Sequence, residues 1–214
     1  MAMLDLYCER VGPGLLGEPW NSVSNLAFLA SAAWLAVHLG PRVDLGVRLL
    51  IGLIAAIGLG STLFHSLATG GALLADVLPI LLFQLTFLAL VLRRQLGLGV
   101  APTAGLVGLF LLACLGARVF PVVLNGSLSY LPGLAVLSLL GWQEWRSGRR
   151  PLRLLPAAAL FSLSLVCRSV DQWACPVLPH GTHAFWHLLN ALVLTLTVLA
   201  VPSRRQTGPV PGRP

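Results

Sequence analysis

The chain has 214 residues, of which 57% are hydrophobic and only 10% charged, with a formal net charge of +7 and a mean hydropathy of +0.86. An average soluble protein carries about 25% charged residues, so fourteen basic and seven acidic side chains cannot clothe a soluble core of this size. This composition excludes a water-soluble enzyme and predicts an integral membrane protein, because the apolar runs recur at lengths of about 20 residues, enough to cross hydrocarbon.

Residues 1–19 precede the first run and are expected to form an extracytoplasmic segment. Their opening "MAMLDLYCER" has an acid and no basic stretch ahead of an apolar one, so it does not read as a cleavable signal. Seven apolar runs follow, at 20–39, 46–67, 72–92, 97–116, 119–141, 152–172 and 181–201. Backbone in lipid must satisfy its own hydrogen bonds, so the expected fold is an all-α seven-helix bundle, one domain over residues 20–201. The tail 202–214 is rich in Pro, Gly and Arg and is expected to be a disordered cytoplasmic end.

All fourteen basic residues are arginines. Arg42 and Arg48 flank the first loop, Arg93 and Arg94 the third, and Arg146, Arg149, Arg150 and Arg153 the fifth, while Arg204, Arg205 and Arg213 lie in the tail. The opposite side has only Arg10, Arg118 and Arg168. By the positive-inside rule the N-terminus is outside and the C-terminus cytoplasmic. The positive charge is thus topological, and nucleic acid is not an expected partner. The absence of lysine suggests a GC-rich bacterial genome, hence a multi-pass protein of the inner membrane.

The N-terminal stretch "DLYCERVGPGLLGEPWNSVSN" carries Asp5, Glu9 and Glu18, with Asn21 and Asn25 entering the first run. Such a stretch is either a solvated acidic face or a hard-cation site of carboxylate and carbonyl oxygens. His38 falls at the cytoplasmic end of that run and reads as interfacial. The second run goes outward, so Ser61 and His65 occupy its last two turns; a turn at Thr69-Gly70-Gly71 then returns the chain, with Asp76 in the first turns of the third run. His183 and His187 open the seventh run at the same outer level.

Ser61 and His65 are four residues apart, as are His183 and His187, and residues so spaced share a helix face. Three neutral imidazoles with water make the open tetrahedral arrangement of catalytic zinc. The bland alternative is packed histidines, but ionisable groups inside spanning helices are costly and mark functional sites. His180 can cap the seventh helix or line an entrance. Asp171, three residues after Arg168, reads as an interfacial ion pair of little worth, and Trp186 equally as a belt aromatic. Cys114 and Cys167 are expected to pack as small hydrophobes. Cys8 and Cys175 both map to the outer face, where an oxidising compartment allows a disulfide.

Taken together, "CE" before the first run, "EPWNSVSN", S-x-x-x-H with an Asp eleven residues past the His, and H-x-x-x-H opening the seventh run resemble the alkaline ceramidases. More widely the pattern is similar to the CREST superfamily, which includes the adiponectin receptors. The resemblance implies zinc (Zn2+) on His65, His183 and His187, with Ser61 and Asp76 as the motif serine and aspartate. It also implies calcium (Ca2+) on the N-terminal acids Glu9 and Glu18, with Asp5 and Asn21 beside them. Here the chain departs from the family, which has Asp-Trp-Cys-Glu followed two residues on by Asn. This sequence reads Leu6, Tyr7, Cys8, Glu9, then Arg10 and Val11, with Asp5 one position off.

The expected function is zinc-dependent hydrolysis of the amide bond of ceramide or another N-acyl lipid, giving a fatty acid and an amine (a sphingoid base). Zinc acidifies a water and polarises the carbonyl. Asp76 takes the water proton and passes it to the leaving amine, or instead orients a histidine ligand. Ser61 donates to the developing oxyanion, and the bundle encloses the acyl chain. Two other classes stay open: a receptor or sensor that keeps the zinc without turnover, and a haem protein with paired histidines as axial ligands. The Ser and Asp beside the ligands favour hydrolysis over both.

Overall fold

The computed structural model describes residues 3–12, 14, 16–120, 123–148 and 151–202. Arg149, Arg150 and the tail beyond residue 202, for which disorder is expected, lie outside the described residues. Among these there are only helices, and seven of the helical segments are long and apolar enough to cross a membrane. The first span, Pro19–Leu39, is a short helix α1 (Pro19–Ser24) that breaks at Asn25 and continues as α2 (Leu26–Leu39). The break is satisfied locally, since the Asn25 side-chain amide donates to the Asn21 carbonyl at 2.9 Å.

The second and third spans, α3 (Leu45–Leu67) and α4 (Gly70–Arg94), form a tight hairpin. Asp44 caps the start of α3 by accepting from the backbone of Gly46 and Val47, and Arg94 at the end of α4 grips the same carboxylate through both terminal nitrogens, at 2.9 and 2.8 Å. At the other end only Ala68 and Thr69 separate the helices. Ala68 adopts a left-handed conformation (φ 49°), and the Thr69 hydroxyl accepts from Ala72 N to start α4. The turn expected at Thr69-Gly70-Gly71 is therefore made one residue earlier, and both glycines already belong to α4.

After α5 (Val100–Ala117), the fifth span differs from the expected continuous run at 119–141. It opens as a 3-10 segment over Val123–Tyr130, then becomes α6 (Leu131–Arg146). Leu124, Asn125 and Gly126 all have positive φ, a conformation that an Asn-Gly pair accommodates more readily than other residues. Helix α7 (Leu154–Ala174) and helix α8 (His183–Ala200) complete the bundle.

Helix α8 packs on α1, α2, α3 and α7, and α3 on α1, α2, α4 and α8, so these two helices join the rest. One apolar core joins Leu35 of α2, Leu50 and Ile54 of α3, Phe83 and Val91 of α4, Phe161 of α7 and Val198 of α8. Leucines such as Leu59, Leu109, Leu139 and Leu192 face outward, as hydrocarbon surroundings permit. Most of the buried ionisable groups, Glu9, Arg10, Glu18, His65, Asp76, Asp171, His183 and His187, gather at one end. The N-terminal segment folds across that end: Leu4 N donates to Ala68 O at 2.8 Å, Gly14 N donates to Ser66 O at 3.0 Å, and Cys8 forms a disulfide with Cys175 just past α7.

Candidate metal centre

The site is built on one close helix contact. Gly60 of α3 lies against the backbone of α4, where an added Cβ would run into the carbonyl of Ala75 and sit 3.2 Å from Asp76 N. Lacking that carbon, the helices approach until the next residue on each, Ser61 and Asp76, become side-chain neighbours. His65 follows Ser61 by one turn and is fully buried. Helix α8 supplies His183 as its first residue and His187 a turn later, both 2% exposed.

The three imidazoles converge. Each offers one ligand atom, and the three atoms lie within 4.8 Å of one another, the one grouping of metal-capable side chains found among the described residues. Ring centroids are 5.3 Å apart for His65 and His183, 5.0 Å for His65 and His187, and 4.6 Å for His183 and His187.

Hydrogen bonding fixes which nitrogen is free. The Glu18 carboxylate, which only accepts, bonds His65 Nδ1, so that nitrogen carries the proton and Nε2 keeps its lone pair. His65 Nε2 is indeed buried without a hydrogen-bond partner. The Ser24 hydroxyl gives its one proton to the Asn21 carbonyl at 2.9 Å and contacts His187 Nδ1 at 2.7 Å. It must therefore accept from Nδ1–H, leaving His187 Nε2 open, 3.4 Å from Ser61 Oγ. Nδ1 of His183 is likewise buried and unpartnered. Two of the three histidines thus keep a buried ring nitrogen without a protein partner, and the third meets only the Ser61 hydroxyl; such a set suits a bound metal, and oriented imidazoles of this kind are the habit of metal-ligating histidines.

His183 is held differently. Tyr7 stacks on its ring at 3.6 Å between centroids and 18° between planes. Arg168 donates to the Tyr7 hydroxyl at 2.5 Å, and its guanidinium lies 5.4 Å from the ring centres of Tyr7, Tyr130 and Trp186. Burial pushes the Tyr7 hydroxyl above its ordinary pKa, against the pull of Arg168, so it stays a neutral phenol.

Asp171 is not an interfacial partner of Arg168. It is fully buried and accepts from the backbone N–H groups of Cys8 (2.9 Å), Thr182 (2.7 Å) and His183 (2.9 Å). The carboxylate thus caps the start of α8 and ties it to the N-terminal segment, which the i, i+3 spacing to Arg168 gave no reason to expect. Gly181 permits this, with φ +64° and a position where a Cβ would lie 2.7 Å from Cys8 Cβ and run into Asp171. Trp186 is 5% exposed and belongs to the core, not to a belt. His180 lies outside the centre, against Trp20 with 5.8 Å between centroids.

The residues expected to hold calcium do not fit that ion. Asp5 is exposed. Both Glu9 oxygens are taken at the start of α1, by Trp20 N at 2.6 Å and Asn21 N at 2.8 Å. Glu18 is ion-paired to Arg10, bonded to His65 and bonded by the Asn21 amide at 2.8 Å. Apart from the exposed Asp5, only the Asn21 carbonyl oxygen lacks both a hydrogen bond and an ion pair among these groups, where calcium takes about six to eight oxygens, and a guanidinium already stands beside Glu18. Burial raises the carboxyl pKa of Glu9 and of Glu18; backbone N–H bonds to Glu9, and Asn21 and Arg10 beside Glu18, oppose that rise.

Sequence reasoning found the three histidines, Ser61 and Asp76 but not the supports Tyr7, Ser24, Arg10 and Arg168. One signal was present for two of these. Arg10 and Arg168 are two of only three arginines on the side the charge distribution leaves poor in positive charge, and an arginine where topology does not ask for one needs another reason.

An apolar cavity lies next to the centre, lined by Phe83, Phe87, Tyr130, Phe161 and others, with Gln84 and Asn190 among its walls. Two of its walls also face the histidines: Phe28 meets the His187 ring at 6.1 Å and Trp186 the His183 ring at 6.4 Å. A bundle with seven helices long and apolar enough to cross a membrane thus holds three buried histidines that could bind a metal ion, with a neighbouring Ser–Asp pair and an adjoining apolar chamber. The Ceramidase family model matches residues 7–207, nearly the whole chain, and the protein belongs to that family. No curated protein sequence matches the chain significantly.

Proposed function

We propose that the protein is a zinc-dependent amidohydrolase that cleaves the amide bond of ceramide or a related N-acyl lipid to a free fatty acid and an amine. The observation that carries this reading is the convergence of three buried imidazoles, two of them with an unpartnered ring nitrogen, beside a buried carboxylate and hydroxyl. Family membership supports an amide hydrolase; the nitrogen donor set supports zinc, since imidazole suits that ion and no thiolate or carboxylate joins the group. When bound, the ion supplies Lewis-acid polarisation of the amide carbonyl and acidifies water toward a pKa of about 7.

The chain's own residues do the rest. Asp76 accepts the proton of the attacking water and returns it to the amine nitrogen as the C–N bond breaks. Its alternative role, orienting a histidine, is filled by Glu18 at His65 and by Ser24 at His187, which leaves only His183 for it and favours the proton shuttle. Ser61 sits between Asp76 and His187, where its hydroxyl can donate to the carbonyl oxygen as that oxygen gains charge. The apolar cavity takes the acyl chain, excluding water from everything but the reacting bond. The arginine distribution supports a site facing the outer side of a multi-pass membrane protein, and the lysine-free composition supports a bacterial inner membrane.

The test is turnover of a panel of N-acyl lipids by the purified protein, read by mass spectrometry, with metal analysis and His183→Ala as the blank. We expect near-stoichiometric zinc, lost in the variant together with amide cleavage. A Soret band without zinc overturns the reading, and zinc without cleavage of any N-acyl lipid assigns the protein to the receptor class instead.

A further inference from the structure

We propose that Arg10 is a built-in cation that positions the metal centre, clamping Glu18 onto His65 so that the site assembles without a divalent ion in the N-terminal segment. The inference rests on reading the three histidines as metal ligands, and it concerns what holds the first of them.

The Arg10 side chain is 1% exposed and ion-paired with Glu18, itself 1% exposed. The same terminal nitrogen, Nη2, donates to the backbone carbonyl of His65 at 3.1 Å, while Nη1 donates to Gly12 O at 3.2 Å. Glu18 in turn bonds His65 Nδ1. Arg10 therefore touches His65 by two routes, through its backbone and through the carboxylate that orients its ring. A planar guanidinium adds a further donor for Gly12 O in fixed geometry, which the flexible point charge of an ammonium holds less well.

The end of α3 explains why a cation belongs there. The last carbonyls of a helix have no intrahelical donor and carry partial negative charge. Here three are satisfied by the N-terminal segment: His65 O by Arg10, Ser66 O by Gly14 N and Ala68 O by Leu4 N. A buried carboxylate beside such a helix end would be repelled unless paired, and Arg10 offsets both. A divalent ion at the same place would meet the guanidinium and find Glu9 and Glu18 already engaged.

The experiment compares wild type, Arg10→Met, Arg10→Lys, Glu18→Gln and the double variant Arg10→Met/Glu18→Gln as full-length protein in detergent. Zn2+ affinity is read by competition with a chromophoric chelator, ligand geometry by the visible spectrum of the Co2+ form, and fold by apo-protein melting. Arg153→Met is the control for losing an arginine-held helix carbonyl elsewhere, since Arg153 donates to Leu199 O at 2.7 Å at the opposite end. We expect Arg10→Met and Glu18→Gln each to weaken Zn2+ binding about 10- to 100-fold and to alter the Co2+ spectrum, and the double variant to be no worse than either single one. Arg10→Lys should recover only part, and Arg153→Met should lower melting without moving Zn2+ affinity. Added Ca2+ should change neither Zn2+ affinity nor melting of wild type. Wild-type Zn2+ affinity in Arg10→Met, in Arg10→Lys with Glu18→Gln should the former not fold, or a wild type stabilised by Ca2+, overturns the clamp alone. A wild type that takes up neither Zn2+ nor Co2+ overturns the metal reading and the clamp together.

Discussion

Ser24 shows how little a side chain needs in order to select a tautomer. Its single proton is committed to Asn21 O, so its lone pair is what His187 meets. Ser24→Ala should therefore release His187 Nδ1–H and lower Zn2+ affinity about 10-fold, with Ser24→Thr restoring it; chelator competition measures both. Asp76→Asn should retain zinc and lose turnover, because an amide cannot shuttle the proton; loss of zinc as well would assign Asp76 to orientation. Ser61→Ala should reduce kcat about 100-fold with KM little changed, the pattern of a donor used only in the transition state. At this scale the histidines were legible because i, i+4 pairs fix a helix face. Their supports were not, since Tyr7, Arg10 and Glu18 lie on an aperiodic segment whose path no spacing encodes.

Among elements, the α3–α4 hairpin does most to position chemistry, and its closeness depends on Gly60. Gly60→Ala should push the helices apart at Ala75, costing about 1–3 kcal/mol of stability by overpacking and separating Ser61 from Asp76. Melting temperature and turnover should fall while far-UV circular dichroism holds. Gly181→Ala should act on α8 instead, straining a positive φ and displacing the Asp171 cap, so zinc content falls with the melting temperature. All seven spans were visible as apolar runs, because hydrocarbon thickness sets a length that composition reveals. Their interruptions were not: the break at Asn25 and the left-handed residues Leu124, Asn125 and Gly126 reflect packing at the polar end, which hydropathy does not sense.

Across the whole molecule, the polar end is stitched by contacts between the two ends of the sequence. The disulfide spans 167 residues, and cross-links closing long loops typically contribute about 2–5 kcal/mol. Cys8→Ser with Cys175→Ser should lower melting accordingly and free Tyr7 from His183, which limited proteolysis of the N-terminal segment would detect. The fold class was readable from composition alone, whereas this closure had only a pair of cysteines to announce it. Two of the histidines lean on that segment, His183 on Tyr7 and His65 on Glu18, and His187 leans on Ser24 of α1, while two of the three ride on α8. During biosynthesis the earliest-made residues must therefore wait for the latest-made ones. On the proposed metal reading, loading is a late step, since the three-histidine site is incomplete until α8 has packed.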